Sequence, residues 1–600
     1  MNFIWRYLKN YKWRVAAAMG LKFLGTILEL LIPYVLEHMI DNIAPRQDLK
    51  LVLLWGCIML SLAFVVRFIN VTANRKGMRI AADCTYEVRR DLFWSSLNFS
   101  GSQVDAIGLP SLTSRMTSDS YNIQNFIRNA QAVGIRAPIM LLGGIFVTMT
   151  MDAGLSLILA IMAPIALLIV ISISRKGIPM YAKVQNGLDD VVRIMRENIT
   201  GIRVVKALSK EDYERRRFSE ANEVMSKAER TVGGTMALPG PLVTLFLNVG
   251  LTLVVIVGAK RVDAGLTKPG VILAFLTYFN MILMAVRGLN RFFTMLSKAN
   301  ASANRIQSIV DKKEDLPQLE ENLCKAFPDQ ALDKGEKPYI LFDHVSFRYG
   351  DDSLAAAASA SHEGDDWFNG EERHKALDDI SFSISKGGSL GIIGATGCGK
   401  TTIINLLMRF YDCSQGAVFV DGKDVRSYDK DQLHRLFGVV FQNDVIFADS
   451  LYENITFGRT VSQAALDQAA ADACCTDFLS HYSDGYEHKA AIRGASFSGG
   501  QRQRVLIARA LVANPEILVL DDSSSALDYR TDAALRKAIR EHYSQATTII
   551  IAQRISSIMG LDEIIMLDEG RILGRGTHEQ LMETCPQYRD IYMTQMGEEA

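Results

Sequence analysis

Along the first half of the chain, apolar residues run in unbroken blocks of about twenty, too long and too uniform to be the core-facing stripe of a surface helix. The blocks fall at 15–39, 51–70, 132–151, 155–173, 239–258 and 271–286. Each can cross a bilayer as a helix, so an all-α domain with about six spans is predicted. The links at 41–50, 152–154 and 260–268 are short, whereas 71–129 and 174–238 are long, polar and rich in helix formers, as in ANEVMSKAER. The long pair belongs on one side. It carries Arg75, Lys76, Arg79, Arg89, Arg90, Arg175, Lys176, Arg203, Lys206 and the arginines at 215–217. The bias of basic residues toward the cytoplasm puts these segments and both termini inside, against which Lys260 and Arg261 stand as exceptions. The opening MNFIWRYLKNYKWR mixes aromatics with cations and lacks a small-residue cleavage site, which fits an interfacial helix rather than a removed signal.

After the last block the pattern changes. ENLCKAFPDQALDKGEKP is polar and punctuated by Pro and Gly, a linker over 321–338 that bounds a membrane domain at 1–320. From Tyr339 to the end, short apolar runs (YILFDHVSF, SLGIIG, AVFV, GVVF, ILVLDD, TTIIIA, EIIMLDEGRIL) alternate with helical stretches, the signature of an α/β domain. Within it, about 350–374 is Ala/Ser-rich and acidic without apolar period, and reads as a flexible exposed insert. The chain is thus multidomain.

Composition agrees with a membrane part and a soluble part. Hydrophobic residues make 49% of the 600 and charged residues 22%. With 65 basic against 66 acidic residues, the formal net charge is −1, which gives no basic footprint for nucleic acid. The eight cysteines have neither metal-ligand nor disulfide-framework spacing, as expected of a reduced compartment.

In SLGIIGATGCGKTTIINLL a strand ends at a glycine-rich turn and a helix follows, the P-loop pattern in its required context. Glycines let backbone N–H groups curl round phosphate oxygens at a helix N-terminus, where the dipole favours anions. Gly394, Thr396, Gly397, Cys398, Gly399, Lys400, Thr401 and Thr402 form the expected nucleotide site, with Lys400 countering phosphate charge and Thr401 ligating magnesium. Cys398 is either a modifiable thiol inside the loop or a small filler. A second glycine turn before a helix, FSGGQRQR, makes Ser498, Gly499, Gly500 and Gln501 another phosphate site.

These motifs, in this order after six spans, resemble those of ATP-binding-cassette half-transporters of the exporter type, whose signature is LSGGQ where this chain has FSGGQ. The resemblance covers essentially the whole length and implies ATP and Mg2+ as ligands, with each ATP held between one subunit's P-loop and the other's signature. It implies that Tyr349 stacks on adenine, that Gln442 senses magnesium and water, that Asp521 holds magnesium and that 525–528 cross the dimer interface. Segments 109–119 and 198–208 resemble the helices that dock on the cassettes.

Two positions depart from the family. Asp522 stands where a glutamate orients the attacking water, and Gln553 where a histidine meets the γ-phosphate; Ile492 also replaces a frequent acid ahead of the signature. Phosphoryl transfer depends on positioning and electrostatics, aspartate is one methylene shorter, and glutamine cannot become cationic. The groups that bind are intact while the hydrolytic ones are altered, a pattern similar to the degenerate site of heterodimeric exporters. The resemblance implies a second half-transporter subunit as partner, hydrolysis mainly at the partner's composite site, and export of small hydrophobic or amphipathic compounds through membrane lipid. A lipid or peptide exporter, or an ATP-gated membrane protein, is the alternative. Phe246, Phe275, Tyr278, Phe279, Met281 and Met284 either line a substrate pocket or make lipid and helix contacts. Glu29 is a functional candidate by the cost of intramembrane charge, unless it pairs with Lys22.

Overall fold

The computed structural model describes residues 1–328, 337–349 and 375–597, so the expected insert at 350–374 and part of the expected linker lie outside the described residues. The chain packs as two units, Met1–Leu97 with Pro110–Lys312, and Asn98–Leu109 with Lys313–Ala600.

Among the described residues there are six helices long and apolar enough to cross a membrane, and each predicted block falls in one of them. They are longer than a bilayer needs. Leu49–Leu97 has 49 residues; at about 1.5 Å per residue it measures roughly 70 Å, about twice the hydrocarbon thickness. The polar ends of Ala153–Thr200 and of Glu211–Ala237 pack side by side as the extension expected for the long connection. Among the spans, Leu155, Leu159, Ala163 and Ala166 repeat at helical spacing and bury against Val243, Leu247 and Val254. The short N-terminal helix Asn2–Leu8 buries Phe3, Ile4 and Tyr7 while Trp5 stays exposed, the two-faced character of an interfacial segment.

Three expectations about this unit change. Arg261, misplaced by the charge rule, donates from Nε to Oδ2 of buried Asp152 at 3.1 Å, and Asp152 also caps Ala153–Thr200 through Leu155 N at 3.0 Å. It is an ion pair at a helix end. Glu29 is paired with Arg136 at 2.6 Å, whereas Lys22 donates to Asn70 and Asn74. Phe275, Tyr278 and Phe279 are core residues, Tyr278 donating its hydroxyl to Leu30 O at 2.6 Å, while Met284 is exposed. Helix contact, rather than a pocket, accounts for those three rings.

The second unit is built on two sheets. An antiparallel sheet orders β1 (Ile340–Phe347), β2 (Leu377–Ile384), β4 (Gln415–Val420) and β5 (Lys423–Asp424) as β2-β1-β4-β5. The central sheet orders β3 (Ser389–Gly394), β6 (Phe437–Val440), β7 (Ile517–Asp521), β8 (Thr547–Ile551), β9 (Glu563–Asp568) and β10 (Arg571–Gly576) as β10-β9-β3-β8-β7-β6. All its neighbours are parallel except β10, so β3 and β6 to β9 are covered on both faces and read as continuous apolar runs. Alternate residues enter different cores: Ile517 and Val519 of β7 join the P-loop helix residues Ile403, Ile404 and Leu407, while Leu518 and Leu520 join Val505, Leu506 and Ile507 of the signature helix.

Two chain segments join this unit that the sequence assigned elsewhere. Pro317 O accepts from buried Arg409 at 2.8 Å and Leu319 N donates to Arg426 O at 2.9 Å, so the packing boundary falls at 312/313 rather than at 320. The short helix Gly101–Ile107, capped by Ser100, lies against the cassette through Gly101 N to Phe410 O at 3.1 Å and Tyr411 Oη to Asp105 at 2.6 Å. Residues 98–109, which end where the expected docking segment 109–119 begins, thus pack as part of this unit.

Candidate nucleotide site

Four adjacent strands of the central sheet, β3, β8, β7 and β6, deliver the site's residues at their carboxyl ends, where open parallel sheets bind ligands. From β3 comes the loop 395–399, leading into the helix Lys400–Leu407, whose apolar residues anchor it on the sheet. Gly397 and Gly399 hold φ of 87° and 103°, left-handed backbone that bends the loop back on itself and is strained for any other residue type. At Gly399 a Cβ would stand 2.5 Å from Ala376 O. Gly399→Ala is expected to cost about 1–3 kcal/mol, lowering the thermal midpoint of the purified protein by about 2–8 °C; an unchanged melting curve would contradict the tight approach.

Lys400 Nζ donates to Gly394 O at 2.8 Å and Ala395 O at 2.7 Å, which keeps the ammonium at the loop. Cys398 is 5% exposed and burial pushes its thiol up, so it is a filler and a poor nucleophile. Thr402 Oγ1 lies 3.1 Å from the Tyr349 hydroxyl, and the Tyr349 ring stands edge-on to Phe347 and Tyr411, a half-exposed aromatic platform beside the loop.

From β7 come Asp521 and Asp522. Asp521 is buried and accepts from Thr401 Oγ1 at 2.8 Å. Burial raises its carboxyl above the usual range, and the Asp522 charge adds to that, while the Thr401 hydrogen bond and Lys400 oppose it. A hydroxyl and a carboxylate in contact beside a lysine form the hard-oxygen donor set that Mg2+ takes, so Thr401 and Asp521 fit the ion. When bound, magnesium neutralises charge developing on the phosphates.

Asp522 continues past the strand with φ 51°, a region that aspartate tolerates better than most residues, and its N–H extends the ladder to Ile551 O at 2.9 Å. From β8, two residues beyond its end, Gln553 Nε2 donates to Asp522 Oδ2 at 2.9 Å. From beyond β6, Gln442 reaches the vicinity of the same carboxylate; burial raises the Asp522 carboxyl, and the two amides with Lys400 and Arg554 pull it back. The side chains predicted for water and phosphate therefore meet at one carboxylate.

The other glycine turn is elsewhere. Ser498 caps the helix Gly499–Leu511 in a capping box, accepting from Gln501 N at 3.2 Å while Ser498 N donates to Gln501 Oε1 at 2.9 Å. Phe497, in place of leucine, is buried among Phe478, Tyr482 and His488, so the substitution is absorbed in the core. Ser498 and Gly499 are exposed, and among the described residues no hydrogen bond joins them to 394–402. The two helices lie over opposite faces of β7, so the signature packs apart from the P-loop of its own chain. Asp528, the last of the residues 525–528, caps Tyr529–His542 through Thr531 N at 2.9 Å.

Sequence reasoning missed Asn405, whose amide approaches the Tyr349 hydroxyl at 3.4 Å, and Arg554 beside Asp522; neither carries a motif signal.

Fold and site together define an α/β P-loop nucleotide-binding domain fused behind a six-span membrane domain. Residues 15–286 match the family described as ABC transporter transmembrane region, and 377–525 the family described as ABC transporter. An uncharacterized ABC transporter ATP-binding protein of Mycobacterium tuberculosis is 32% identical over 98% of this chain and 97% of its own, and YfiB of Bacillus subtilis is 31% identical over 99% and 98%. A protein of Mycobacterium tuberculosis named multidrug efflux ATP-binding/permease protein is 28% identical over 98% of this chain but 47% of its own. The structure of a bacterial Atm1-family ABC exporter with ATP bound superposes with a TM-score of 0.76 at 24% identity, covering 98% of this chain and 99% of that one, which is a likeness of fold. The chain belongs to the ABC transporter family, in the arrangement with the transmembrane domain fused ahead of the nucleotide-binding domain.

Proposed function

We propose that the protein is one half of a heterodimeric exporter that moves small hydrophobic or amphipathic compounds across the membrane by alternating access, with its cassette and both termini cytoplasmic. Its own P-loop site holds ATP and Mg2+ and cleaves slowly, while 498–501 complete a faster site on the partner's P-loop. The observation that carries this reading is the contrast at the site. Lys400, Thr401 and Asp521 keep the binding geometry, yet the residue placed to orient water is a short carboxylate tied to a neutral amide, Gln553. A relative about twice this length whose name describes multidrug efflux supports an assembly of two such halves, and the basic long connections support the orientation.

Native mass spectrometry of the complex extracted from source membranes tests the partnership, with one copy of this chain and one of a related half expected. In that complex Asp522→Ala is expected to change the maximal ATPase rate by less than about 2-fold, since the main site lies on the partner. A homodimer with ordinary substrate-stimulated turnover, or turnover abolished by Asp522→Ala, would overturn the reading.

A further inference from the structure

We propose that a polar cavity in the membrane unit seats an anionic phosphate headgroup that carries a hydroxyl. The cavity, of about 220 Å3, opens between the helices Leu49–Leu97 and Ser120–Met151 and is lined by Asn74, Gly77, Arg128, Asn129 and Gln131. Gln131 is 7% exposed and its Oε1 accepts no hydrogen bond among the described residues. A buried carbonyl oxygen left so is costly unless something donates to it. Gly77 keeps the space in front of it, because a Cβ there would stand 2.9 Å from that oxygen.

The charge of the site is positive. Behind the lining, Lys22, only 6% exposed, donates to Asn70 Oδ1 at 2.8 Å and to Asn74 Oδ1 at 3.2 Å. With its oxygen committed to Lys22, Asn74 has amide N–H groups to offer. Arg128 donates one N–H to Asn125 Oδ1 at 2.9 Å, and its planar fork carries five donors in all. No carboxylate is among the lining residues. A ligand that answers all of these groups brings negative charge to Arg128, Lys22 and Asn74, and an O–H to Gln131. Water can meet the hydrogen-bonding groups but brings no charge to Arg128 and Lys22.

Depth selects the ligand's source. The cavity lies where the apolar run 51–70 ends and the run 132–151 begins, which places it at the headgroup boundary of the spans, and a basic pocket between helices at that level is suited to anionic lipid. A glycerol-phosphate headgroup combines the phosphate with the hydroxyl. The inference rests on the membrane unit alone and stands whether or not the chain exports anything.

The test uses the full-length chain, in the assembly it forms, purified in detergent and titrated with phosphatidylglycerol or phosphatidylcholine under native mass spectrometry. Phosphatidylglycerol is expected to bind about 10-fold more tightly, and Arg128→Gln and Gln131→Leu each to weaken it about 5- to 10-fold without affecting phosphatidylcholine. Arg128 is exposed, so its variant keeps the test usable if Gln131→Leu or the cavity-filling Gly77→Val fails to fold. Displacement of the lipid by millimolar glycerol phosphate would support the site and assign it a soluble ligand. Equal retention of the two lipids by the unmodified protein, or phosphatidylglycerol binding unchanged in Arg128→Gln, would overturn the proposal.

Discussion

Lys400→Ala lowers azido-ATP photolabelling of this subunit at micromolar nucleotide by about 10- to 100-fold. The side chain is held at the mouth of the loop by the Gly394 and Ala395 carbonyls, so its ammonium is already close to where the phosphates enter. A hydrogen bond to a charged group contributes about 1.5–3 kcal/mol, and alanine removes both that and the counter-charge. The glycine turn and the helix N-terminus remain, which is why the loss has an upper bound. Undiminished labelling of this subunit, with the partner's site blocked, would remove Lys400 from the phosphate site.

Asp522→Glu combined with Gln553→His raises cleavage at this chain's own site by about 10-fold or more. The two residues already touch, Gln553 Nε2 to Asp522 Oδ2 at 2.9 Å, so the pair is changed together. Glutamate adds the reach of one methylene toward the γ-phosphate, and histidine restores a group able to carry positive charge there. Asp521 and Thr401 are untouched, so magnesium binding is preserved as an internal control. Single-turnover analysis of trapped nucleotide in the proposed heterodimer, with the second P-loop labelled separately, shows which site fired. If the double variant left this site as slow as before, the shorter acid would not be what limits it.

The parts of this molecule that were legible in sequence are those written in local pattern. Six apolar blocks became six helices, and the strand, turn and helix around Lys400 folded as their order demanded. Neighbour relations between distant segments are not written that way. Glu29 and Arg136 are 107 positions apart, and nothing in either stretch favoured that pairing over Lys22, which sits two turns away on the same helix. Phe275 and Phe279 look alike whether they face a cavity or a neighbouring helix, because burial within lipid and burial within protein select the same apolar side chains. The convergence of Gln442, Asp522 and Gln553 depended on the strand order β8-β7-β6, a non-local property that each motif alone leaves open.

The presence of 98–109 in the cassette unit sets an order on biosynthesis. That segment leaves the ribosome roughly two hundred residues before Lys313, the first residue of the body it packs into. At about 5–20 residues per second the wait is about 10–40 s. During it Asp105 and the Ser100 cap face solvent without Tyr411 or Asp315, and the early spans are released with one docking element still unmatched. A cassette translated on its own from residue 313 has the opposite defect, since Phe410 and Tyr411 then lack the helix that covers them.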